Sequence, residues 1–226
     1  MHPCIEMGDV ILVISVENFI KSLLSSANAV FASKDMLTEL DAAIGDGDHG
    51  INLDRGFKTV KEKIEGKSYT AFSELLQDVA KALLFSVGGA SGPLYGQFFL
   101  KMGMKLGSKP EATLEEFANA VAAGVGGVKS IGKGERFDKT MLDVLIPFSE
   151  VLNACIVEKV PHAECLKRSL KAAREGRDET INLIARKGRA SYLGKRSLGH
   201  MDPGAASSFL ILEAMCQALL SVETDR

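Results

Sequence analysis

Tryptophan is absent from the 226 residues and aromatics make up only 6%, which leaves no base-stacking platform of the single-strand-binding kind. An excess of one charge is missing too. The 27 basic and 29 acidic residues give a formal net charge of −2, which excludes a basic nucleic-acid binder of the ordinary kind. The four cysteines, Cys4, Cys155, Cys165 and Cys216, form no C-x-x-C pair. A chain of this length buries roughly 70% of its unfolded surface without covalent staples, so the cysteines read as reduced thiols of a cytoplasmic protein. No uninterrupted stretch of about 18 apolar residues occurs, so no membrane span is expected. The short apolar run at 10–14 lacks a basic flank and is preceded by Glu6 and Asp9, which argues against a signal peptide. Proline is scarce, at 6, whereas the 22 glycines are numerous and clustered.

Alternation of apolar and polar residues is almost absent. Only 10–16 looks strand-like, and a single strand has nothing to pair with. Helical spacing dominates instead. Ser15 caps a first helix through Phe19, Ile20, Leu23 and Leu24. Further helices are predicted over 36–43, 51–64, 71–85, 93–106, 114–129, 141–157, 163–185 and 205–222. Thr113 and Glu116 form a T-x-x-E capping box, and Pro161 suits the start of the helix that follows it. Met102, Met104 and Met215 read as core filler. The expectation is an all-α single domain of eight or nine helices. Its longest non-helical stretch, 187–204, has the length of a lid or binding loop.

The segment from Leu40 to Gly50 concentrates chemistry. Asp41, Asp46 and Asp48 fall within eight residues, two of them between glycines. Asp41 belongs to the last turn of a helix, whereas Asp46 and Asp48 lie in a loop bent by Gly45, Gly47 and Gly50. Such crowded negative charge is unfavourable unless a cation neutralises it, and oxygen-only ligands favour Mg²⁺ or Ca²⁺. An EF-hand fails on spacing: with Asp46 as position 1, position 12 is Phe57 and no closing Glu exists. Mg²⁺ leans on substrate phosphates, and the helix that begins near Ile51 offers free backbone N–H groups toward them. A solvated, capped turn accounts for the same residues without a ligand.

Three other segments bear on function. In Gly88-Gly89-Ala90-Ser91-Gly92-Pro93, small residues allow close backbone approach, and Ser91 can cap the next helix or meet a phosphate. A tight turn between helices explains the glycines equally well. Gly127-x-x-x-x-Gly132-Lys133 imitates a P-loop, but position eight is Gly134 and the preceding segment is helical, so it is rejected. Asp138 to Asp143 reads as a capped helix start. The stretch from Arg186 to Gly204 carries five basic residues, as a flap closing over phosphates would.

Together the strings IGDGDHGINLDRGF, SVGGASGPLYG, DKTMLD and KGRASYLGKRSLGHMDPGAASS resemble the nucleotide-binding L subunit of dihydroxyacetone kinase, the DhaL family, from about Ser15 onward. The resemblance implies a nucleotide-binding domain over 15–226, with residues 1–14 as an N-terminal extension. It implies an antiparallel eight-helix barrel holding ADP or ATP and two Mg²⁺ ions at one end. Asp41, Asp46 and Asp48 would be the Mg²⁺ ligands. His49, Gly50, Ile51, Asn52, Ala90 and Ser91 would meet the phosphates and ribose side. Gly132 and Met141 would border the adenine, and Arg189, Asp202, Pro203 and Gly204 would contact the nucleotide from the flap. Phe137 stands where the family often has Gly, and Lys195 where an acidic residue is common.

The same resemblance implies γ-phosphate transfer to dihydroxyacetone held on a separate K subunit. A phosphoenolpyruvate-dependent M subunit would rephosphorylate the bound nucleotide, and the chain would be inactive without its partners. Other acceptors are represented in related domains, including other short ketoses and fatty acids. Some members bind a transcription activator in the ADP form, a regulatory alternative to catalysis. No residue of this chain is assigned as acid, base or nucleophile.

Overall fold

The computed structural model describes residues 13–224, so the readings made on Cys4 and on most of the 1–14 extension lie outside it. Among the described residues nine α-helices follow one another: α1 (Val16–Ala32), α2 (Lys34–Ile44), α3 (His49–Ile64), α4 (Phe72–Ser86), α5 (Ser91–Leu106), α6 (Leu114–Gly132), α7 (Leu142–Val157), α8 (His162–Glu179) and α9 (Pro203–Thr224). Ser15 caps α1 by accepting from the Asn18 amide at 3.1 Å, and the Thr113–Glu116 capping box opens α6 with both bonds made. Each helix turns an apolar stripe inward. Phe19, Phe57, Phe72, Phe99, Phe117 and Phe148 are fully buried and build the centre of one apolar cluster. Phe19 meets Phe72 and Phe117 edge-on, with centroids 5.7 and 6.1 Å apart.

Packing runs from neighbour to neighbour. α1 packs on α3, α3 on α4, and so on to α9, which returns to α1. Short connections make successive helices antiparallel. The α2–α3, α4–α5, α6–α7 and α8–α9 connections therefore share one end of the molecule. A two-stranded antiparallel ribbon lies at the other end, pairing β1 (Val13–Ser15) with β2 (Glu111–Thr113) in the register Ile14 to Ala112. Residues 13–15 of the strand-like run thus have a partner, which the sequence reading did not supply.

Three other expectations are corrected, and one apolar helix stands beside the expectation of no membrane span. α8 stops at Glu179, six residues early, and continues as a 3₁₀ turn over Thr180–Asn182. The 187–204 stretch is not irregular, since Arg189–Ser197 folds as 3₁₀ turns kinked at Gly194. Met104 is exposed, unlike Met102 and Met215, which are buried. Finally, Pro203–Ser221 of α9 has a mean hydropathy of 1.4 and is long and apolar enough to cross a membrane, although no unbroken apolar run marks it. Of that window 61% is buried inside the fold, where Phe209, Leu212 and Met215 join the core.

Candidate functional site

The acidic loop is folded by its own first carboxylate. Asp41, buried one turn from the end of α2, accepts the Asp48 amide at 2.9 Å and the His49 amide at 3.2 Å through Oδ2. Those bonds draw the 45–48 loop back over the helix end. Gly45 is required there because a Cβ would overlap Asp41 Oδ1, and Gly47 takes a left-handed φ of +72°. As a result, one ligand oxygen from each of Asp41, Asp46 and Asp48 lies within 4.8 Å of the other two. Three hard oxygen donors facing one point, with Asp46 and Asp48 reachable from solvent, fit Mg²⁺, which keeps further positions for water or phosphate. Arg189 Nη2 reaches Asp46 Oδ2 at 3.0 Å from across the mouth.

Beside this cluster opens a cavity of about 260 Å³. All four connections at that end line it. The α2–α3 loop gives Asp46, Asp48 and His49, and the α4–α5 turn gives residues 88–91. The α6–α7 loop gives Gly132, Gly134 and 139–142, and the α8–α9 segment gives 187–190 and 202–204. Leu94, Tyr95 and Val128 form apolar walls. A buried polar chain runs behind them. His49 Nδ1 lies 3.2 Å from Ser91 Oγ and its Nε2 2.8 Å from Ser207 Oγ, and Tyr95 Oη reaches Ser207 and Ser208 at 2.7 and 2.9 Å. Burial lowers the pKa of His49 below the usual imidazole value, against the pull of Asp41 and Asp48. Ser91 is therefore not the cap of α5. That position is Ala90, and the hydroxyl is turned to His49 instead.

Asp202 caps α9 by accepting the Ala205 amide at 2.7 Å. Its carboxyl is pushed up to about 7, first by burial and then by the neighbouring acids Asp143 and Asp41. Within the expected capped start at 138–143, α7 begins at Leu142 with Met141 at the cap position and no side-chain cap bond; Asp143 instead folds the preceding loop, accepting the Thr140 amide at 2.7 Å and the Phe137 amide.

Of the predicted contacts, Asp41, Asp46, Asp48, His49, Ala90, Ser91, Gly132, Met141, Arg189, Asp202, Pro203 and Gly204 all line this cavity. Gly50, Ile51 and Asn52 do not. Gly50 lies against the α2 backbone at Lys34, Ile51 faces solvent, and Asn52 packs under Gly88 and accepts Arg55 Nη2 at 2.8 Å. Sequence reasoning missed Tyr95, Lys139 and Thr140. Lys139 and Thr140 stood inside a quoted string, and their polar character before an apolar helix was the available signal.

Comparison with known proteins places the chain in a family. The family model described as DAK2 domain matches residues 43–217. The chain is 40% identical over 196 residues to the Escherichia coli (strain K12) protein named PEP-dependent dihydroxyacetone kinase, ADP-binding subunit DhaL, covering 86% of this chain and 93% of that one. A Listeria innocua serovar 6a protein, named the ADP-binding subunit DhaL of PEP-dependent dihydroxyacetone kinase 2, is 41% identical over 188 residues, covering 82% of this chain and 87% of that one. The crystal structure of the dihydroxyacetone kinase from C. freundii in complex with AMP-PNP and Mg²⁺ has the same fold, with a TM-score of 0.70 at 21% identity. It covers 96% of this chain and 36% of the larger kinase chain. With a family match across most of its length and relatives of its own size at about two-fifths identity, the chain belongs to the DAK2 domain family as a DhaL-type member.

Proposed function

We propose that the chain is the ADP/ATP-binding subunit of a dihydroxyacetone kinase of the phosphoenolpyruvate-dependent type. The observation that carries this reading is the Asp41–Asp46–Asp48 cluster at the mouth of a cavity built from four helix connections, in a chain this similar to DhaL subunits. Asp41, Asp46 and Asp48 hold two Mg²⁺ ions. His49, Ala90 and Ser91 flank the phosphates and ribose, Gly132 and Met141 border the adenine, and Arg189 and 202–204 complete the opposite wall. Gly50, Ile51 and Asn52 act from behind, by seating the start of α3 and the Gly88 turn.

Bound Mg²⁺ supplies neutralisation of charge on the phosphoryl oxygens. The protein's part is placement. Leu94, Tyr95 and Val128 exclude water behind the base. His49 and Ser91 face the phosphates, and Arg189, with two-thirds of its side chain exposed, adds a cation at the open side. The acceptor, dihydroxyacetone, is held by a separate K subunit that docks on that open side, and an M subunit restores the bound nucleotide. The isolated chain therefore shows no turnover.

Calorimetry with Mg-ADP tests the site. Wild type binds, and Asp46→Ala binds at least about a hundredfold more weakly, the expected loss for one ligand of a charged cluster. Undiminished affinity in Asp46→Ala, or steady dihydroxyacetone phosphorylation by the chain alone, overturns the assignment.

A further inference from the structure

Lys139 is 1% exposed, and burial holds its ammonium below the ordinary lysine range despite the nearby Asp202 and Asp143 carboxylates. A buried charge is costly unless every hydrogen finds an acceptor. Among the described residues Lys139 has no ion-pair partner; its three hydrogens go to three backbone carbonyls. Those carbonyls belong to Thr180 at 2.6 Å, Leu183 at 3.2 Å and His200 at 2.5 Å.

The positions of these acceptors matter. Thr180 and Leu183 stand where the α8–α9 segment leaves the helical body, and His200 where it returns. One ammonium therefore bridges both strands of a neck. Other bonds lie beside it: the Gly199 amide donates to the Ile181 carbonyl at 2.8 Å, and the Arg186 amide to the Asp138 carbonyl at 3.0 Å. Beyond the neck lie 187–190, which wall the cavity, and Arg189, which reaches Asp46. Lys139 itself sits in the α6–α7 loop, whose Gly134, Thr140 and Met141 form the facing wall. Its backbone is left-handed, at φ 61°, a conformation that persists in a non-glycine residue only when its surroundings fix it.

We propose that Lys139 is a positioning residue that closes the neck of the 183–200 segment and seats it against the α6–α7 loop, so that it governs how long a nucleotide stays in the cavity. The residence-time half rests on the nucleotide reading above; the neck itself does not. Arginine replaces this contact only in part, because its planar fork aims donors in one plane whereas the three carbonyls converge on a point. Methionine fills the volume and withdraws all three donors, leaving the Thr180 carbonyl with only the Leu183 amide at 3.3 Å.

The test uses the full chain as wild type, Lys139→Met and Lys139→Arg. Trypsin cuts after Arg186, Lys187, Arg189, Lys195 and Arg196, so the first cut between 186 and 196 reports the neck without any ligand. Lys139→Met is expected to be cut about tenfold faster than wild type with unchanged far-UV circular dichroism, and to release Mg-ADP about tenfold faster in a displacement assay. Lys139→Arg is expected to fall between the two. Wild-type protection in Lys139→Met overturns the neck, and lost protection with an unchanged release rate overturns control of residence. Should Lys139→Met not fold, hydrogen exchange on ligand-free wild type decides: slow exchange at Gly199 and Arg186 supports the neck, and exchange as fast as an open loop overturns it. Failure of the wild type to bind Mg-ADP would sink the nucleotide reading, while the trypsin arm still judges Lys139.

Discussion

Two side chains show how the site's loops hold unfavourable states. Phe137 takes φ 70°, and its half-exposed ring lies under Arg136, 4.9 Å from the guanidinium. Left-handed strain of about 1 kcal/mol is roughly balanced by the freedom a glycine would lose on folding. Phe137→Gly should therefore leave unfolding free energy within about 1 kcal/mol of wild type, whereas the β-branched Phe137→Val should cost more than that. Denaturant titrations in which both behave alike would reject the strain. Asp202 is the second case. Its proton affinity is higher folded than unfolded, with a pKa of about 7 against an ordinary 3.8. The folded state then binds more protons between those values, so this group favours the fold at low pH and that contribution is lost as pH rises through 7. Asp202→Asn keeps an acceptor for the Ala205 amide and removes the ionisation. It should raise the melting temperature of the ligand-free protein at pH 8, by an advantage over wild type that grows from pH 4 to 7. An unchanged slope would show that Asp202 stays charged.

At the scale of elements, periodicity carried most of the reading. Helices with one apolar stripe were legible to within a turn, as were the Ser15 cap and the capping box, because those signals are local. The three-residue ribbon was not, since the strand-like run that holds β1 finds its partner far along the chain, in a segment with no strand pattern of its own. Nor was the early end of α8, where Lys139 claims the Thr180 carbonyl and the chain turns aside. α7 and α8 add a packing rule that residue types alone do not disclose. Pro147 lies inside α7 and offers no amide to Asp143, four residues back, so the Asp143 carbonyl is free to face α8. Gly176 of α8 meets it so closely that a Cβ would collide with that carbonyl. Gly176→Ala should accordingly destabilise the fold by about 2 kcal/mol or more, despite alanine's better helix propensity, as read by urea unfolding. A neutral or stabilising effect would mean the two helices part at no cost.

For the whole molecule, the acidic cluster was visible in sequence because its ligands are neighbours in the chain. The cavity was visible only through resemblance, because its walls come from four separate connections. What unites them is the return of α9 to α1, where Ser26 Oγ donates to the Ile211 carbonyl at 3.0 Å, 185 residues away in sequence. A chain truncated before Pro203 should lose cooperative thermal unfolding, since α1, α7 and α8 would all expose the faces that α9 covers. A sharp transition in that truncation would show that the remaining helices suffice. The same closure sets an order of events during synthesis. Asp41, Asp46 and Asp48 leave the ribosome about 150 residues before Asp202, which lines the cavity, and Ser207, which holds His49. Folding rates fall when such distant partners must meet, and partial chains expose apolar faces in the meantime. The nascent chain thus makes its acidic loop well before the pocket beside it exists, and gains a binding-competent site only when α9 docks.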